Sequence, residues 1–329
     1  MLTRLSVALL VATLLGGGCA TSKSSTAPEI KGARFDAYVL GRSQDGGLPH
    51  VGCEKPCCAQ ARERGQVETP ACIGIHDRET DQLVLIEATP GIDSQLRLLH
   101  ERSGVSDRNR QPVDAILLTH AHIGHYTGLM HLGREVAGTK NLPVHTTPTM
   151  AAFLRTNGPW SQLVDLDNIE LIECTPAAVD ASGAPGVVFE PIEGLQVEAI
   201  LVPHRDEFSD TVAFRVWGPA RTMLFVPDVD QWDTHPGMLN RLLSGVDVAY
   251  IDGTFYDGSE LPGRDLAEIP HPAMVTTMDV LAEHARMHPG SIRFIHLNHT
   301  NPALTKPDVQ REVAERGFAV AEVGERQPL

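Results

Sequence analysis

Three histidines fall within six residues in "LLTHAHIGHYTGL": His120, His122 and His125, directly after an apolar run. A neutral imidazole nitrogen is a common metal ligand, and a site forms where several such nitrogens converge. On an extended segment, residues i and i+2 point the same way, so His120 and His122 can grip one ion. A turn into a helix would swing His125 towards a neighbouring ion. Polar residues at a plain strand-to-helix junction, with His120 as a cap, rarely bring three histidines at this spacing. Other polar groups also end apolar runs. "AILVPH" delivers His204, "LFVPDVD" delivers Asp228, and "RFIHLNH" delivers His296 and His299. Singly each reads as a surface or satisfied polar residue; together they supply ligands for a two-metal site.

The elements that must hold these groups are short. "ARFDAYVLG" alternates as a strand and leads into a glycine-rich loop, "SQDGGLPHVGCEKPCCAQARERG". "ACIGIHD" and "QLVLIEAT" read as two strands joined at "RETD". Helical spacing follows over "GIDSQLRLLHERSG". "VDAILLTHAH" is a strand running into the histidines, and "HYTGLMHLGREVAG" a helix starting at them. "LPVHTT", "LQVEAILVPH", "TVAFRVW", "TMLFVPDVD", "VDVAYIDGTF" and "SIRFIHLNH" are further strands. "PTMAAFLRTNG" and "PAMVTTMDVLAEHARM" are helices among them. Apolar strands ending in His or Asp and interleaved with helices predict an α/β sandwich in one domain, residues 35–329.

Composition narrows the partners. The 329 residues include 42 acidic against 27 basic side chains, a formal charge of -15, which argues against an extended nucleic-acid footprint. The start reads as an address. Arg4 gives a positive segment, residues 5–15 an apolar core, and small residues lead to Cys19. Residues 1–19 are expected to be a lipoprotein-type signal, with Cys19 lipidated and residues 20–34 as tether. An ordinary signal peptide is the plainer alternative, and the apolar run is short for a membrane span. The protein is then exported and anchored at the membrane, facing the periplasm or exterior. Nothing in the sequence specifies an oligomeric state. Cys19 aside, Cys53, Cys57, Cys58, Cys72 and Cys174 remain, an odd number, so disulfides alone do not use them all.

This order of ligands resembles the metallo-β-lactamase superfamily over residues 35–305. That resemblance implies an αββα sandwich with a metal hydrolase site along one edge. It assigns His120, His122 and His204 to a first metal, Asp228 to a bridge, and His125 and His296 to a second. Gly124 stands where the family's motif has an aspartate ligand. The expectation is therefore a weakened or absent second metal, with Asp230 and Glu87 as candidate replacement carboxylates. "LGRSQDGGLPHVGC" and "FIHLNHTNP" resemble the pyrroloquinoline-quinone biosynthesis protein B branch. The cysteine cluster is similar to that of the phosphonate-pathway cyclic phosphodiesterases. Carried over, that similarity puts His299 on a structural zinc with Cys53, Cys57 and Cys58. Adjacent cysteines make a crowded ligand pair, so Cys72 is a possible substitute, and a disulfide of Cys53 or Cys58 with Cys72 is the alternative. Asp252 and His271 sit where ribonuclease Z-like members carry a proton-transfer pair.

The implied activity is hydrolysis of a small ester, amide or phosphodiester by metal-activated water, oriented by Asp228, with His271 and Asp252 handling the proton. Zinc is the expected catalytic metal, as one or two ions, with iron or manganese as alternatives. A second reading is an iron-dependent oxidative enzyme of quinone cofactor biosynthesis. A third is a non-catalytic binder of a small molecule or metal.

Overall fold

The computed structural model describes residues 29–178, 187–230, 237–263 and 270–329. The expected signal segment and residues 20–28 of the expected tether lie outside them. Strands β1 (Phe35–Gly41), β2 (Cys72–Asp77), β3 (Leu83–Ile86), β4 (Ala115–Leu117), β5 (Leu142–Thr146) and β6 (Ile169–Glu173) build one sheet. A second sheet holds β7 (Val188–Phe189), β8 (Gln196–Leu201), β9 (Val212–Trp217), β10 (Thr222–Val226), β11 (Val248–Asp252), β12 (Ile292–Ile295) and β13 (Ala319–Val320). The C-terminal β14 (Arg326–Pro328) returns to pair with β1.

Both sheets follow one plan. From β14 through β1, β2 and β3 the pairings are antiparallel, and from β3 through β6 they are parallel. The second sheet repeats this from β7 to β13. The period-two side-chain alternation of strands then sorts the core into layers. Phe35, Ala37 and Val39 of β1, Ile73 and Ile75 of β2, and Val84 and Ile86 of β3 face the second sheet. There they pack with Phe214, Met223, Phe225, Val248 and Tyr250. Their alternates Tyr38, Leu40, Leu83 and Leu85 face outward beneath Ile92 and Leu99 of helix Ile92–Ser103. Leu224, Val226, Ala249 and Ile251 face outward from the second sheet, under Met274, Met278 and Leu281. This is the expected αββα sandwich. Among the described residues no helix is long and apolar enough to cross a membrane.

Three local expectations change. The helix expected to start at the histidines shrinks to one turn, Ile123–Tyr126, followed by a 3₁₀ segment, Thr127–Leu132. Tertiary bonds replace the helical ladder there. Gly128 N donates to Ala88 O at 2.8 Å, and Ala88 N donates to His125 O at 2.9 Å. The glycine-rich loop contains a helix of its own, Pro56–Arg64, opened by a proline in its first turn and closed by Gly65 at φ 62. The helix expected over 272–287 breaks at Leu281 into Met274–Val280 and Ala282–Met287.

Gly128 carries the close approach between the β3 exit and the histidine motif. A Cβ there would sit 2.8 Å from Ala88 O, tighter than real side chains tolerate. Gly128→Ala should therefore lower unfolding free energy by about 1–3 kcal/mol, read as a shift of the urea midpoint at constant m-value. An unchanged midpoint would show that this approach is not a constraint.

Candidate metal centre

The polar groups that ended apolar runs in the sequence gather at the strand exits, along one edge where the two sheets meet. His120, His122 and His125 follow β4, His204 follows β8, Asp228 follows β10, Asp252 ends β11 and His296 follows β12. Carboxyl ends of parallel strands are where α/β sheets generally place ligands. Two strand exits are bent hard. Glu87 after β3 has φ 79 and His296 has φ 63, left-handed conformations unusual for non-glycine residues, which suggests side-chain direction is being enforced against backbone preference.

Four atoms outline a first pocket. His204 Nε2 lies 3.1 Å from His122 Nδ1 and 3.2 Å from Asp228 Oδ2, and His120 Nε2 lies 3.4 Å from that same oxygen. His122 Nδ1 to Asp228 Oδ2 is 3.9 Å. Tetrahedral ligands at zinc bond lengths of about 2.0–2.1 Å stand about 3.3 Å apart. A second pocket adjoins. His125 Nε2 is 3.3 Å and His296 Nε2 3.5 Å from Oδ1 of Asp45. The same two nitrogens lie 3.8 and 4.0 Å from Asp228 Oδ2, which therefore borders both pockets as a bridging carboxylate would.

The atoms facing inward lack other partners. Nε2 of His120, His125 and His296 and Oδ1 of Asp45 are buried with no hydrogen bond. Their opposite ring nitrogens are all held. His125 Nδ1 donates to Glu87 at 3.2 Å, His204 Nδ1 to Asp230 at 2.9 Å, and His122 Nε2 to Glu207 at 2.8 Å. His296 Nδ1 meets Thr254 Oγ1 at 3.0 Å, and His120 Nδ1 meets Thr119 Oγ1 at 2.9 Å. Such outer partners fix tautomer and aim in metal-ligating histidines. Orphaned lone pairs inward and satisfied nitrogens outward are what a cation site requires.

The electrostatics divide the ligands: burial lowers both His125 and His204, yet Glu87 raises His125 well above and Asp228 raises His204 above the usual histidine range in the metal-free cleft. Burial, helped by His125, holds the His120 imidazole well below the usual histidine range, so it is neutral and free to ligate. Burial works against ionised Asp228, yet the imidazoles around it, His271 and His296 first, hold it well below the usual carboxylate range. Asp252 and His271 form the expected pair beside the pockets, Nδ1 to Oδ2 at 2.8 Å, with Asp228 Oδ1 3.3 Å away. Burial pushes His271 down, but Asp252 and Asp228 outweigh it and raise it to about 9. Two backbone donors, Thr254 N and Val229 N, fix Asp252 in turn.

Two expectations are corrected. Glu87 and Asp230, the candidate replacement carboxylates, stand behind His125 and His204 rather than between the ligands. The carboxylate beside His125 and His296 is Asp45, a residue missed in the sequence although it lies in the glycine-rich loop. Glu207, Thr119 and Thr254 were missed too, and no spacing signal marks them. The segment after His204 lines the cleft: Ser209 Oγ accepts from Ala121 N at 2.9 Å, and exposed Phe208 stands against Phe153.

A second cluster lies at the loop helix. One ligand atom each from Cys53, Cys57, Cys58 and His299 falls within 4.8 Å of the others. The adjacent pair poses no obstacle, for the sulfurs of Cys57 and Cys58 are 3.9 Å apart, close to the edge of about 3.8 Å that Zn–S bonds of about 2.3 Å imply. Burial, then His50 and Lys55, lowers His299 to about 4, leaving it neutral, and its Nδ1 is buried without a hydrogen bond. The alternatives involving Cys72 fail. Cys72 is a free thiol under the outer face of the first sheet, its sulfur directed at Glu87 O at 3.6 Å, and the other described cysteines are also free.

Comparison with known proteins adds four findings. The family model described as "Beta-lactamase superfamily domain" matches residues 82–297. A Methylobacterium sp. (strain 4-46) protein named "Coenzyme PQQ synthesis protein B" is 27% identical over 316 residues, covering 88% of this chain and 98% of its own. Among solved structures, Zn(2+)-bound PqqB from Methylobacterium extorquens aligns with TM-score 0.73 at 21% identity, over 89% of this chain and all of its own. A diphosphatase from the PhnP family aligns with TM-score 0.62 at 16% identity, over 90% and 97%.

Cys58→Ser should release about one equivalent of metal from protein purified without chelator and lower the thermal midpoint, since metal bound only by the folded state stabilises it. Elemental analysis with a thermal melt reads both. An unchanged metal content would remove this cluster from the metal sites.

Proposed function

The chain belongs to the beta-lactamase superfamily, and from that premise we propose that it is a metal-dependent hydrolase of a small ester, amide or phosphodiester. The observation that carries this is the pair of adjoining ligand sets, His120, His122, His204 and Asp228 beside Asp45, His125 and His296, with Nε2 of His120, His125 and His296 and Oδ1 of Asp45 unpaired. The nitrogen and oxygen donors suit zinc, or iron or manganese, while the Cys53, Cys57, Cys58 and His299 set suits a structural zinc. Divalent cations in the cleft would supply Lewis acidity and lower the pKa of water towards neutrality.

The protein's own groups divide the remaining work. Asp228 Oδ2, shared by both pockets, orients the attacking water. His271, locked by Asp252, protonates the departing group. Exposed Ile123 and Phe208 at the cleft rim offer apolar contact to a small substrate. The charge of -15 weighs against a polyanionic nucleic acid.

A second reading is a role in quinone cofactor synthesis with redox-active iron. The name shared by the curated relatives favours it, more strongly than those relatives favour hydrolysis. Against it stands the export signal read in residues 1–19. We place the protein at the membrane through a lipid on Cys19, on the strength of that signal. Cys19→Ala should move it from the membrane to the soluble fraction on cell fractionation; retention at the membrane would refute the anchor.

The deciding experiment takes the soluble form beginning at Ala20, purified without chelator. Metal analysis accompanies turnover of bis(4-nitrophenyl) phosphate and 4-nitrophenyl esters, with oxygen uptake measured in parallel. Zinc with turnover that His120→Ala/His122→Ala abolishes supports hydrolysis. Iron with oxygen uptake supports the second reading. No metal in the cleft overturns both in favour of a binder.

His271→Ala should lower kcat by about 10²–10⁴-fold for alkyl leaving groups and much less for 4-nitrophenolate, which departs without a proton. An equal loss on both would show that His271 serves the structure rather than the leaving group.

A further inference from the structure

We infer that Asp45 has taken over, from a different part of the chain, the carboxylate ligand position that Gly124 leaves vacant, so that the second cleft metal is held by Asp45, His125 and His296, with Asp228 at its border. The inference rests on the metal-hydrolase reading and specifies one of its ligands.

The two positions compete for one space. A Cβ built on Gly124 would lie 2.6 Å from the Cα of Asp45 and 2.7 Å from its carboxyl carbon. The region that a residue-124 side chain would enter is already filled by Asp45. Its Oδ1 is buried, has no hydrogen bond, and points between His125 Nε2 at 3.3 Å and His296 Nε2 at 3.5 Å. These separations match ligand edges around one ion. Asp252 also groups with Asp228, His271 and His296, but it and the other acids nearby are already engaged. Glu87 is engaged by Thr119 and the far nitrogen of His125, Asp230 by the far nitrogen of His204, and Asp252 by His271 and two backbone amides.

The loop is braced for this task. Gln44 N donates to Leu297 O at 2.8 Å, Leu297 N donates to Arg42 O at 2.9 Å, and Gly47 N donates to Gln44 O at 2.8 Å. Asp45 is thus strapped to the strand exit that presents His296. Gly47, at φ 67, turns the chain where a Cβ would meet Glu68 O at 2.7 Å. An acid at position 45 and a glycine at position 124 are two halves of one change: either alone leaves the pocket a ligand short or overfilled.

The test is a mutational cycle on the soluble protein, read by metal equivalents and by zinc affinity in competition with a chromogenic chelator. Asp45→Ala should lose one of the cleft equivalents, with at least about 100-fold weaker binding of that ion, while the Cys-site equivalent stays. Gly124→Asp alone should also lose it, through collision with Asp45. Asp45→Gly/Gly124→Asp should regain it, a sign reversal that additive effects cannot produce and that a misfolded variant would not show. Full retention of metal and affinity in Asp45→Ala, while His120→Ala/His122→Ala loses metal, overturns the ligand inference and leaves the hydrolase reading standing. A parent with only the Cys-site ion overturns both.

Discussion

The site depends on the burial of lone pairs that nothing in the protein satisfies. An unpaired buried polar atom costs about 1–3 kcal/mol, and three imidazole nitrogens and a carboxylate oxygen share this state in one cleft. Against a total stability of about 5–15 kcal/mol for a domain, that is a burden the sandwich must offset through its packed layers. The atoms stay in place because their far sides are fixed: every ligating ring is held through its other nitrogen, three by carboxylates and two by threonine hydroxyls. A cation therefore meets a site already shaped for it, and its binding relieves a strain that folding imposed.

The repeated sheet plan explains why such a cleft arises here. In each sheet the switch from antiparallel to parallel pairing falls at the strand whose exit carries an acid, Glu87 after β3 and Asp228 after β10. The next parallel strand then supplies the neighbouring groups, the three histidines after β4 and Asp252 at the end of β11. One acid, Asp228, borders the pockets, and the other, Glu87, stands behind His125. Equivalent positions in the two sheets have thus been given different duties, with left-handed backbone at Glu87 and His296 aiming two of them.

The strands were legible because their apolar residues keep period two, and burial on both faces leaves near-continuous apolar runs such as "LVLI". The histidines were legible because three ligands sit close in sequence, and His204, Asp228 and His296 because each interrupts an apolar run. Asp45 was not, since nothing local distinguishes an acid in a glycine-rich loop from a turn former. Its significance lies in its contact with position 124, far away in the chain. The helix at Ile123–Tyr126 is shorter than its sequence implies for the same reason: Ala88, a distant residue, takes the Gly128 amide that a helical ladder would have used.

The Cys cluster gains meaning from the same connectivity. Two chain segments run between it and the cleft. One leads from Asp45 through a braced turn to Cys53, and the other from His296 to His299. Leu48 N pairs with Glu68 O, and His50 N reaches the sulfur of Cys58 at 3.3 Å, so the first segment is tied along its length. An ion held by the three sulfurs and the imidazole at its far end would leave the loop little freedom to withdraw Asp45 from the histidines. A ligand carried on a free loop would lose entropy each time it closed on an ion. An ion held at that second cluster would meet the cost during folding, and so would let a carboxylate from the start of the domain serve beside a histidine motif that has Gly124 in place of an acid.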